Sequence, residues 1–583
     1  MRKYRFPPRA GRVFLAGSAI SVLTLLAACG GGGSDGSSGG GLFGGSSSSS
    51  SAAPVAPTQA EAARFLTQST FGATDTDISA VTASGYSAWI DAQEAMAPSE
   101  SHLTYMDGRL PALQAVSPTA TVSANQFYES FWKQAASDPD QLRQRVKLAL
   151  SEIFVTSFTS STEDPRGMAS YYDMLGADAF GNFRDLLTDV TYHPAMGLYL
   201  TYMSNQKENT KTGQNPDQNY AREVMQLMTI GLYKLNTDGT LNKDLFGNTQ
   251  PTYTTNDIVG LSKVFTGLAW YSPTPTNTTF FGGSKDASAY VKPMIAYNSF
   301  HSISEKDFLG TTIAATTTAD TNGEVKTALD TLFNNANVGP FISKQLIQRL
   351  VTSNPSSAYV GRVAAVFNNN GAGVRGDMKA VIKAILMDPE ARTASTDADY
   401  GKLREPLVRV GNWMRSFGAT SKTGTWLMQS TSASTSLDQA ALTSGSVFNF
   451  FRPGYVPPNT TLGTKNMAAP EFQITDEVST ASYVNYMQSA VQSGVGTSGD
   501  ITSAYTNEIA LADTPSALVD RVNLLLGAQM SAGLKTKIVN EVTAIAVPAS
   551  TGSNQTAIDT AHLNRVRMAI LLTMASPEYI AQR

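Results

Sequence analysis

Residues 141–154 read QLRQRVKLALSEIF, and this stretch decides the fold class. Leu142, Val146, Leu150 and Phe154 recur among polar residues at the intervals of an α-helix. The stretch is also longer than the usual strand of five or six residues. It therefore predicts a helix.

The same spacing extends along the chain from Gln59 onward, where the alternation typical of strands is scarce. Further helices are predicted over residues 60–66, from 78 onward, 183–190, 219–230, 255–266, 324–335, 340–351, 359–367, 377–387, 405–417, 471–489, 515–526 and 562–575. We predict an all-α fold, a large multi-helical domain with long loops. Two stretches interrupt the pattern, 205–218 and 271–298, and loops of that length are usually binding loops or lids. The second has room for a small hairpin.

The composition excludes several classes of protein. The chain has 583 residues, with 43 Lys+Arg against 47 Asp+Glu, and this balance gives no basic excess for a nucleic-acid partner. A single cysteine excludes a disulfide framework, a cysteine zinc site and an iron–sulfur cluster. Only four histidines are present, so we predict neither a metal nor a cofactor.

The first 28 residues have the pattern of a lipoprotein signal peptide. Basic residues come first, and an uncharged apolar stretch from Val13 to Ala28 follows, too short to span a membrane as a helix. The stretch ends in Leu-Ala-Ala-Cys-Gly, residues 26–30, which resembles the bacterial lipobox. Cys29, the only cysteine, is then the predicted site of acylation. It would carry three acyl chains, and two membrane-binding signals are enough for stable anchoring. Gly30 favours the outer membrane of a Gram-negative cell envelope.

Residues 29–59 contain the acylated cysteine and a linker rich in Gly, Ser and Pro. Such a composition buries too little apolar surface to fold and is typical of a flexible tether. The helical domain is predicted over residues 60–583, because no second boundary of this kind follows.

One helix carries the sharpest candidate for chemistry. Over residues 219–226 it places Asn219, Arg222, Glu223 and Gln226 along one polar stripe. Glu223 is a candidate general acid or base, held by Arg222, and Asn219 is a candidate binding residue. The alternative makes Arg222 and Glu223 a structural ion pair.

Three further candidates follow the long loop 271–298. His301 has the side chain best suited to proton transfer near neutral pH, and Glu305 and Lys306 stand beside it as binding candidates. The alternative for a histidine in such a loop is an exposed or capping role. His102, in a polar stretch, and His193, before a proline at a helix boundary, are interpreted as structural.

An aromatic stretch over residues 449–458 surrounds Arg452 with Phe450, Phe451 and Tyr455. Arg452 and Tyr455 are candidates for stacking on a sugar or peptide ligand. The alternative is a plug that closes the helical core.

Residues 371–376, GAGVRG, match the G-x-G-x-x-G pattern of nucleotide-binding loops. Helices flank the match on both sides, and no strand leads into it. We interpret it as a turn with Asp377 as the N-cap of the next helix.

Short motifs spread over nearly the whole domain carry a resemblance to a known family. They are ARFL with FGAT (63–66, 71–74), GNFRDLL (181–187), NYAREVMQL (219–227), YT with Asp257 (253–254), FTG (265–267), His301 with EK and FLG (305–306, 308–310), NFFRPGY (449–455) and SPEY (576–579). Together they resemble the bacterial domain of unknown function 1800 family. The family has no established activity, and the resemblance implies an exported, largely helical protein. Its members are often encoded beside a second family that resembles the alkaline phosphatase/sulfatase superfamily.

The chain departs from that family at two places. Many members read Trp-His-Asn-His-Phe where this chain reads LSEIF at 150–154, and some carry a histidine where Met228 stands here. A metal site built on those histidines is therefore not carried over.

Two classes of function follow from these observations. The first is a binding or accessory lipoprotein of the cell envelope that acts with a phosphatase/sulfatase-like partner. The alternative is a hydrolase of an extracellular polymer that uses Glu223, Arg222 and His301 as acid–base and binding groups.

Overall fold

The computed structural model describes residues 56–285, 287–395 and 397–583. The predicted signal peptide, Cys29 and nearly all of the predicted linker lie outside these residues. None of the described helices is both long and apolar enough to cross a membrane.

The described part of the chain is mainly α-helical, as the sequence predicts. Its first twelve α-helices are α1 (Gln59–Ser69), α2 (Asp75–Ala95), α3 (His102–Val116), α4 (Ala124–Ser137), α5 (Gln141–Ser151), α6 (Pro165–Ala177), α7 (Phe183–Tyr192), α8 (Pro194–Tyr199), α9 (Asn219–Gln226), α10 (Thr255–Val264), α11 (Asn277–Phe280) and α12 (Thr321–Asn334). The others are α13 (Val338–Leu350), α14 (Ser357–Asn368), α15 (Met378–Met387), α16 (Pro389–Arg392), α17 (Pro406–Ser416), α18 (Thr461–Thr464), α19 (Glu477–Ser493), α20 (Thr506–Ile509), α21 (Pro515–Leu526), α22 (Ala532–Ala544), α23 (Gln555–Met574) and α24 (Pro577–Ile580).

Short antiparallel strand pairs join segments between the helices. They are β1 (Leu268–Ala269) with β2 (Ile295–Ala296), β3 (Lys306–Phe308) with β4 (Thr311–Ile313), β5 (Lys402–Leu403) with β8 (Ala581–Gln582), and β6 (Thr420–Ser421) with β7 (Ile501–Thr502). The second strand of the first pair lies in the long 271–298 stretch, where the sequence leaves room for a small hairpin.

Side-chain caps fix where many helices begin. Thr58 and Glu61 form a capping box at α1, because each side chain satisfies a backbone N–H of the other residue. Thr254 and Asp257 form the same arrangement at α10. Asp377 caps α15, and this confirms the interpretation of the preceding glycine-rich segment as a turn.

Helix α5 lies at the centre of the domain, where all of its residues are buried, and it packs against α1, α2, α4, α6 and α13. Its sequence brings Arg143, Arg145 and Lys147 into the interior. Residues four apart share a helix face, so Arg143 and Lys147 lie on one side and Arg145 on another. Buried charges need partners, and each side of α5 is therefore expected to hold a polar cluster.

A protruding arm of residues 232–252 lies between α9 and α10. Isolated bridges Tyr233↔Pro251, Leu235↔Leu241 and Lys243↔Thr249 hold its backbone together. At its tip Leu245 and Phe246 are almost fully exposed, and the Asp244 carboxylate accepts the backbone N–H of Phe246.

Candidate functional site

Two adjoining cavities of about 260 and 320 Å³ form one groove on the surface, because they share several wall residues. The shared wall residues are Leu232, Phe341, Gln345, Pro453 and Gly454. Helix α13, the loop after residue 446 and the base of the arm therefore build the groove together. We refer to it as the α13 groove.

The walls of the α13 groove are mostly apolar, with cations at the rim. Leu232, Tyr233 and Leu241 of the arm are each nearly half exposed. Lys344 and Arg452 also line the groove, and both are exposed. The groove can thus bury apolar groups of a ligand and pair with an acidic group at its rim.

A cluster of buried charges lies beneath the groove, and Glu152 and Arg349 reach the groove itself. The members of this cluster are Arg145, Glu152, Arg349, Lys402, Glu405 and Glu471. We refer to them as the buried charge cluster.

The carbonyl oxygen of Arg349, in the last turn of α13, is the meeting point of two cations in this cluster. Arg145 Nη2 donates to it at 2.6 Å and Lys402 Nζ at 2.7 Å. Cations are favourable there, because the carbonyl groups at a helix C-terminus carry partial negative charge. Lys402 Nζ also lies 3.0 Å from Glu471 Oε1 and 3.6 Å from Glu405 Oε1.

Glu152 and Glu405 hold their protons differently. Burial, and then the neighbouring carboxylate of Glu405, raise the pKa of Glu152 well above its ordinary value. Burial alone would raise the pKa of Glu405 as well, but Lys402, the adjacent carboxyl group of Glu152, Arg145 and the amide of Gln439 lower it below its ordinary value. Glu405 is therefore ionised near neutral pH, and Glu152 is the carboxyl group of the pair that holds its proton more tightly.

Several buried polar atoms of this cluster have no hydrogen-bond partner among the described residues. They include both carboxyl oxygens of Glu152, Oε1 of Glu405 and Nε of Arg349. Arg349 Nε and Glu152 Oε2 are 3.5 Å apart, longer than the 2.7–2.9 Å typical of a charge-assisted hydrogen bond. Of these residues, Glu152 and Arg349 line the groove, so their polar atoms lie nearest to a bound ligand.

Two of the predicted binding residues lie in or next to the groove. Arg452 lines it, and its guanidinium carbon lies 4.7 Å from the centre of the Phe448 ring. Tyr455 is half-buried, and its backbone N–H donates to the Arg452 carbonyl. Arg452 also lines a second cavity, of about 360 Å³, with Asn449 and Phe451.

Glu223 is buried on α9 and has one carboxyl oxygen without a hydrogen-bond partner. Burial raises the pKa of Glu223, and Arg222 opposes this effect. Arg222 is exposed and forms no ion pair with another described residue. Asn219 is half-buried near the start of the helix, where its backbone N–H donates to Asp217. The same helix reaches the groove only with Gln226, which accepts a hydrogen bond from Tyr253 at 3.0 Å.

His301 is fully buried with both ring nitrogens engaged. Nδ1 lies 2.7 Å from the Thr266 carbonyl oxygen, and Nε2 lies 2.8 Å from Glu324 Oε2. Lys306 is also buried and binds the same carboxylate oxygen at 2.8 Å, whereas Glu305 is exposed. His301 is therefore part of a closed polar cluster that ties β3 to α12.

Among the described residues, no hydrogen bond or ion pair joins any two of Glu223, His301 and Arg452. The α13 groove contains Arg452 and the end of the Glu223 helix, while His301 belongs to the cluster at α12. In the described ranges, no three His, Cys, Asp or Glu side chains are placed to hold a metal ion.

The sequence does not single out Glu152, Arg349, Lys402 or Glu405 as functional. The local signal for Glu152 is its position in the LSEIF segment, where the chain departs from the pattern of the resembling family. Its partners stand far away along the chain and carry no motif of their own. Only the packing of α5, α13 and α17 brings them together.

Comparison with known proteins identifies the family of the chain. A family model described as "Protein of unknown function (DUF1800)" matches residues 64–581. The chain belongs to the DUF1800 family. No curated protein and no solved structure matches it. The DUF1800 match includes the α13 groove, the buried charge cluster and the cluster around His301, whereas Cys29 lies before it.

Proposed function

We propose that this DUF1800 protein is a cell-envelope lipoprotein with a binding or accessory role, and that it holds an extended segment of a partner in the α13 groove. The single observation that carries the proposal is the groove itself. Its two cavities adjoin along shared wall residues, so a ligand that fills both of them is an extended one.

The lining of the groove indicates the chemistry of that segment. Leu232, Tyr233 and Phe341 suit apolar side chains, and Gln226 and Gln345 offer amide groups to a polar backbone. Lys344 and Arg452 are the rim cations of the groove, so the segment is expected to carry an acidic group.

The sequence supports a location at the membrane. Acylation of Cys29, with palmitate among the acyl chains, would anchor the chain in the outer membrane of a Gram-negative bacterium, and the linker up to residue 59 would hold the domain off the bilayer. The Cys29→Ser variant should lose labelled palmitate and leave the membrane fraction. Unchanged labelling and fractionation would contradict the anchor.

The proposed partner is a protein of the alkaline phosphatase/sulfatase-like family, because relatives of this chain are often encoded beside such proteins. A nucleic-acid partner is not proposed, because the net charge of −4 gives no basic excess to pair with a phosphate backbone.

Site-specific cross-linking tests the groove. A photoreactive phenylalanine replaces Leu232 in the groove wall, or Val116 as an exposed control at the end of α3. We expect the probe at 232 to form one defined adduct with the phosphatase-like partner in envelope preparations. The double substitution Lys344→Glu with Arg452→Glu should weaken that adduct several-fold. Equal adducts from both positions would contradict the proposal.

A second candidate, a hydrolase of an extracellular polymer, is favoured by one observation. A protonated Glu152 at the groove floor lies beside an ionised Glu405, and a proton donor next to an acceptor suits general acid–base catalysis. A hydrolase site made of Glu223, Arg222 and His301 is less favoured, because no hydrogen bond or ion pair among the described residues joins these three side chains. Release of soluble fragments from purified cell-wall sacculi by the wild type, and its loss in Glu152→Gln but not in Glu223→Gln, would favour this candidate.

A further inference from the structure

A separate cavity of about 380 Å³ lies on the other side of α5, away from the buried charge cluster. Lys147 and Arg143 of α5 line it, and so do Asp173 of α6 and Gln134 of α4. Neither Lys147 nor its neighbours belong to the α13 groove, so this cavity is independent of the proposed function.

Lys147 is a buried cation without a carboxylate in contact with it. Only 4% of the residue is exposed, and its Nζ lies 3.0 Å from His102 Nε2 and 3.1 Å from Gln134 Oε1. Burial lowers the pKa of His102 well below its ordinary value, so this partner is neutral. An ammonium held only by neutral groups in a protein interior is costly, so burial raises the fraction of Lys147 that is present as the neutral amine.

The two contacts leave the lone pair free in the neutral form of the amine. Such an amine has two N–H groups and one lone pair, and His102 Nε2 and Gln134 Oε1 are both acceptors. The proton on the histidine ring is then on Nδ1, which lies 2.9 Å from Ser130 Oγ. With both N–H groups donated, the lone pair of Lys147 remains available for reaction.

Several charged groups act on Lys147 from the surrounding elements. Asp173 on α6 and Asp138 and Asp140 before α5 favour the ammonium, whereas Arg143 disfavours it. Asp173 is already committed, because it accepts the backbone N–H groups of His102 and Leu103. Burial is the largest effect and lowers the pKa of Lys147 to about 8.

The stem of Lys147 is also fixed in place. A Cβ added at Gly176 would lie 2.7 Å from Lys147 Cδ, so the absence of a side chain at Gly176 makes room for the lysine. The Lys147 Nζ lies 4.8 Å from the centre of the Tyr172 ring. The amine is thus held at the cavity wall by packing on one side and by hydrogen bonds on the other.

We propose that Lys147 is a nucleophilic amine that forms an imine with a small aldehyde or ketone bound in this cavity. The lone pair on Nζ forms a bond to the carbonyl carbon, and the carbonyl oxygen takes the proton that the nitrogen loses. The resulting carbinolamine loses its hydroxyl group and the second nitrogen proton as water, which leaves the C=N bond. No oxidant or reductant is consumed in these steps.

Reductive trapping tests the proposal on the full-length chain in detergent. Propanal and sodium cyanoborohydride are added at pH 7, and propylated lysines are located by peptide mass spectrometry. With a pKa of about 8, about one-tenth of Lys147 is neutral at pH 7, roughly two-hundredfold more than an ordinary lysine. Because burial slows access, we expect Lys147 to be propylated at least about tenfold faster than Lys133, a more exposed lysine on the adjacent α4.

Two controls test whether the fast reaction of Lys147 depends on the folded environment of the lysine. In urea the preference for Lys147 over Lys133 should disappear, because the environment that lowers its pKa is lost. Lys133→Arg should leave the rate at Lys147 unchanged. Propylation of the surface lysines without Lys147, or labelling of Lys147 no faster than Lys133 in the folded protein, would overturn the proposal.

Discussion

At the scale of single residues, the two carboxyl groups of the buried charge cluster should respond to substitution in opposite ways. Glu405 is ionised beside two cations, Arg145 and Lys402, so Glu405→Gln leaves buried positive charge uncompensated. We expect a loss of roughly 3–5 kcal/mol in the free energy of unfolding.

Glu152→Gln should have little effect by comparison. Its raised pKa means that folding must protonate a carboxyl that is ionised in the unfolded chain at pH 7, and this opposes folding. Glutamine removes that requirement while keeping the shape. Thermal unfolding at pH 7 should therefore show the Glu152 variant within about 1 kcal/mol of the wild type, or more stable. A larger loss for Glu152→Gln than for Glu405→Gln would contradict this assignment of the proton.

Glu223 provides a second test at this scale. Because burial raises its pKa and Arg222 forms no ion pair with it, Glu223→Gln should not strand a charge. Stability at pH 7 should stay level or rise slightly, within about 2 °C in Tm, and Arg222→Met should also change Tm little. If both substitutions lowered Tm strongly, the two residues would be a structural pair after all.

The candidate site was only partly predictable from the sequence, for a physical reason. Arg452 stands in an aromatic segment, and this local pattern made it a candidate for binding. The structure places it at a surface cavity, and its binding role stays a prediction. The position of Glu152 in the LSEIF segment does not reveal its partners, and Glu405 has no local pattern, because tertiary packing alone makes the two residues neighbours. Burial likewise changes what a residue such as His301 can do, and burial of a loop residue is not visible in its own neighbourhood of the sequence.

At the scale of elements, the close packing of α10 against β3 depends on one glycine, Gly260. A Cβ at Gly260 would lie 1.8 Å from the carbonyl oxygen of Asp307 in β3, so the helix and the strand must move apart to admit it. We expect Gly260→Ala to cost about 1–3 kcal/mol or more.

The matched control for this substitution is Gly108→Ala. Gly108 is an exposed glycine inside α3, and an added Cβ meets nothing within 4 Å. Alanine there should stabilise the protein by up to about 1 kcal/mol, because it favours the helix. Thermal melts compare the two variants, and similar stability for both would contradict the close approach of α10 and β3.

The helices show which helix positions and helix ends a sequence pattern can predict. The prediction for α21 matches the structure at both ends, because Pro515 begins it and a left-handed Gly527 follows it. Helix α9 ends at Gln226, earlier than the predicted residue 230. The prediction did not include α22, whose buried residues are few. Its periodicity is weak because it packs mainly against the neighbouring helices α21 and α23 at the surface.

His102 is another residue whose position was not predicted from its neighbours in the sequence. The sequence places it in a polar loop, but it is the first residue of α3 and is fully buried. That expectation is wrong because its polar neighbours in sequence cap the helix, while the ring turns inward toward Ser130 and Lys147. The helix boundary predicted at His193 is confirmed, since His193 caps α8.

At the scale of the whole molecule, buried titratable groups set the pH dependence of stability. Burial, and then Asp164, raise the pKa of Glu163 to about 8, and burial raises that of Glu94 to about 7. Carboxyl groups with raised pKa values destabilise the fold as the pH rises from about 4.5 toward 8. Burial lowers the pKa of His193 to about 3, which costs stability only below about pH 6.5.

Between pH 6.5 and pH 8 the ionisation of these carboxyl groups therefore lowers the stability of the fold, while protonation of His193 plays no part. We expect Tm to fall over this interval, and Glu163→Gln should make the fall smaller. Scanning calorimetry at pH 6.5 and 8 measures both. A Tm that rises with pH in the wild type, or an unchanged slope in the variant, would contradict the assignment.

The contact between α1 and the far end of the described chain has a consequence for the timing of folding. The side chain of Arg64 donates to the carbonyl oxygen of Arg583, a partner 519 residues later in the sequence. Ribosomes add about 5–20 residues per second, so roughly 25 to 105 seconds separate the synthesis of these two partners. During that interval the buried face of α1 lacks some of its neighbours, and the nascent polypeptide must avoid aggregation until the residues near 583 are made.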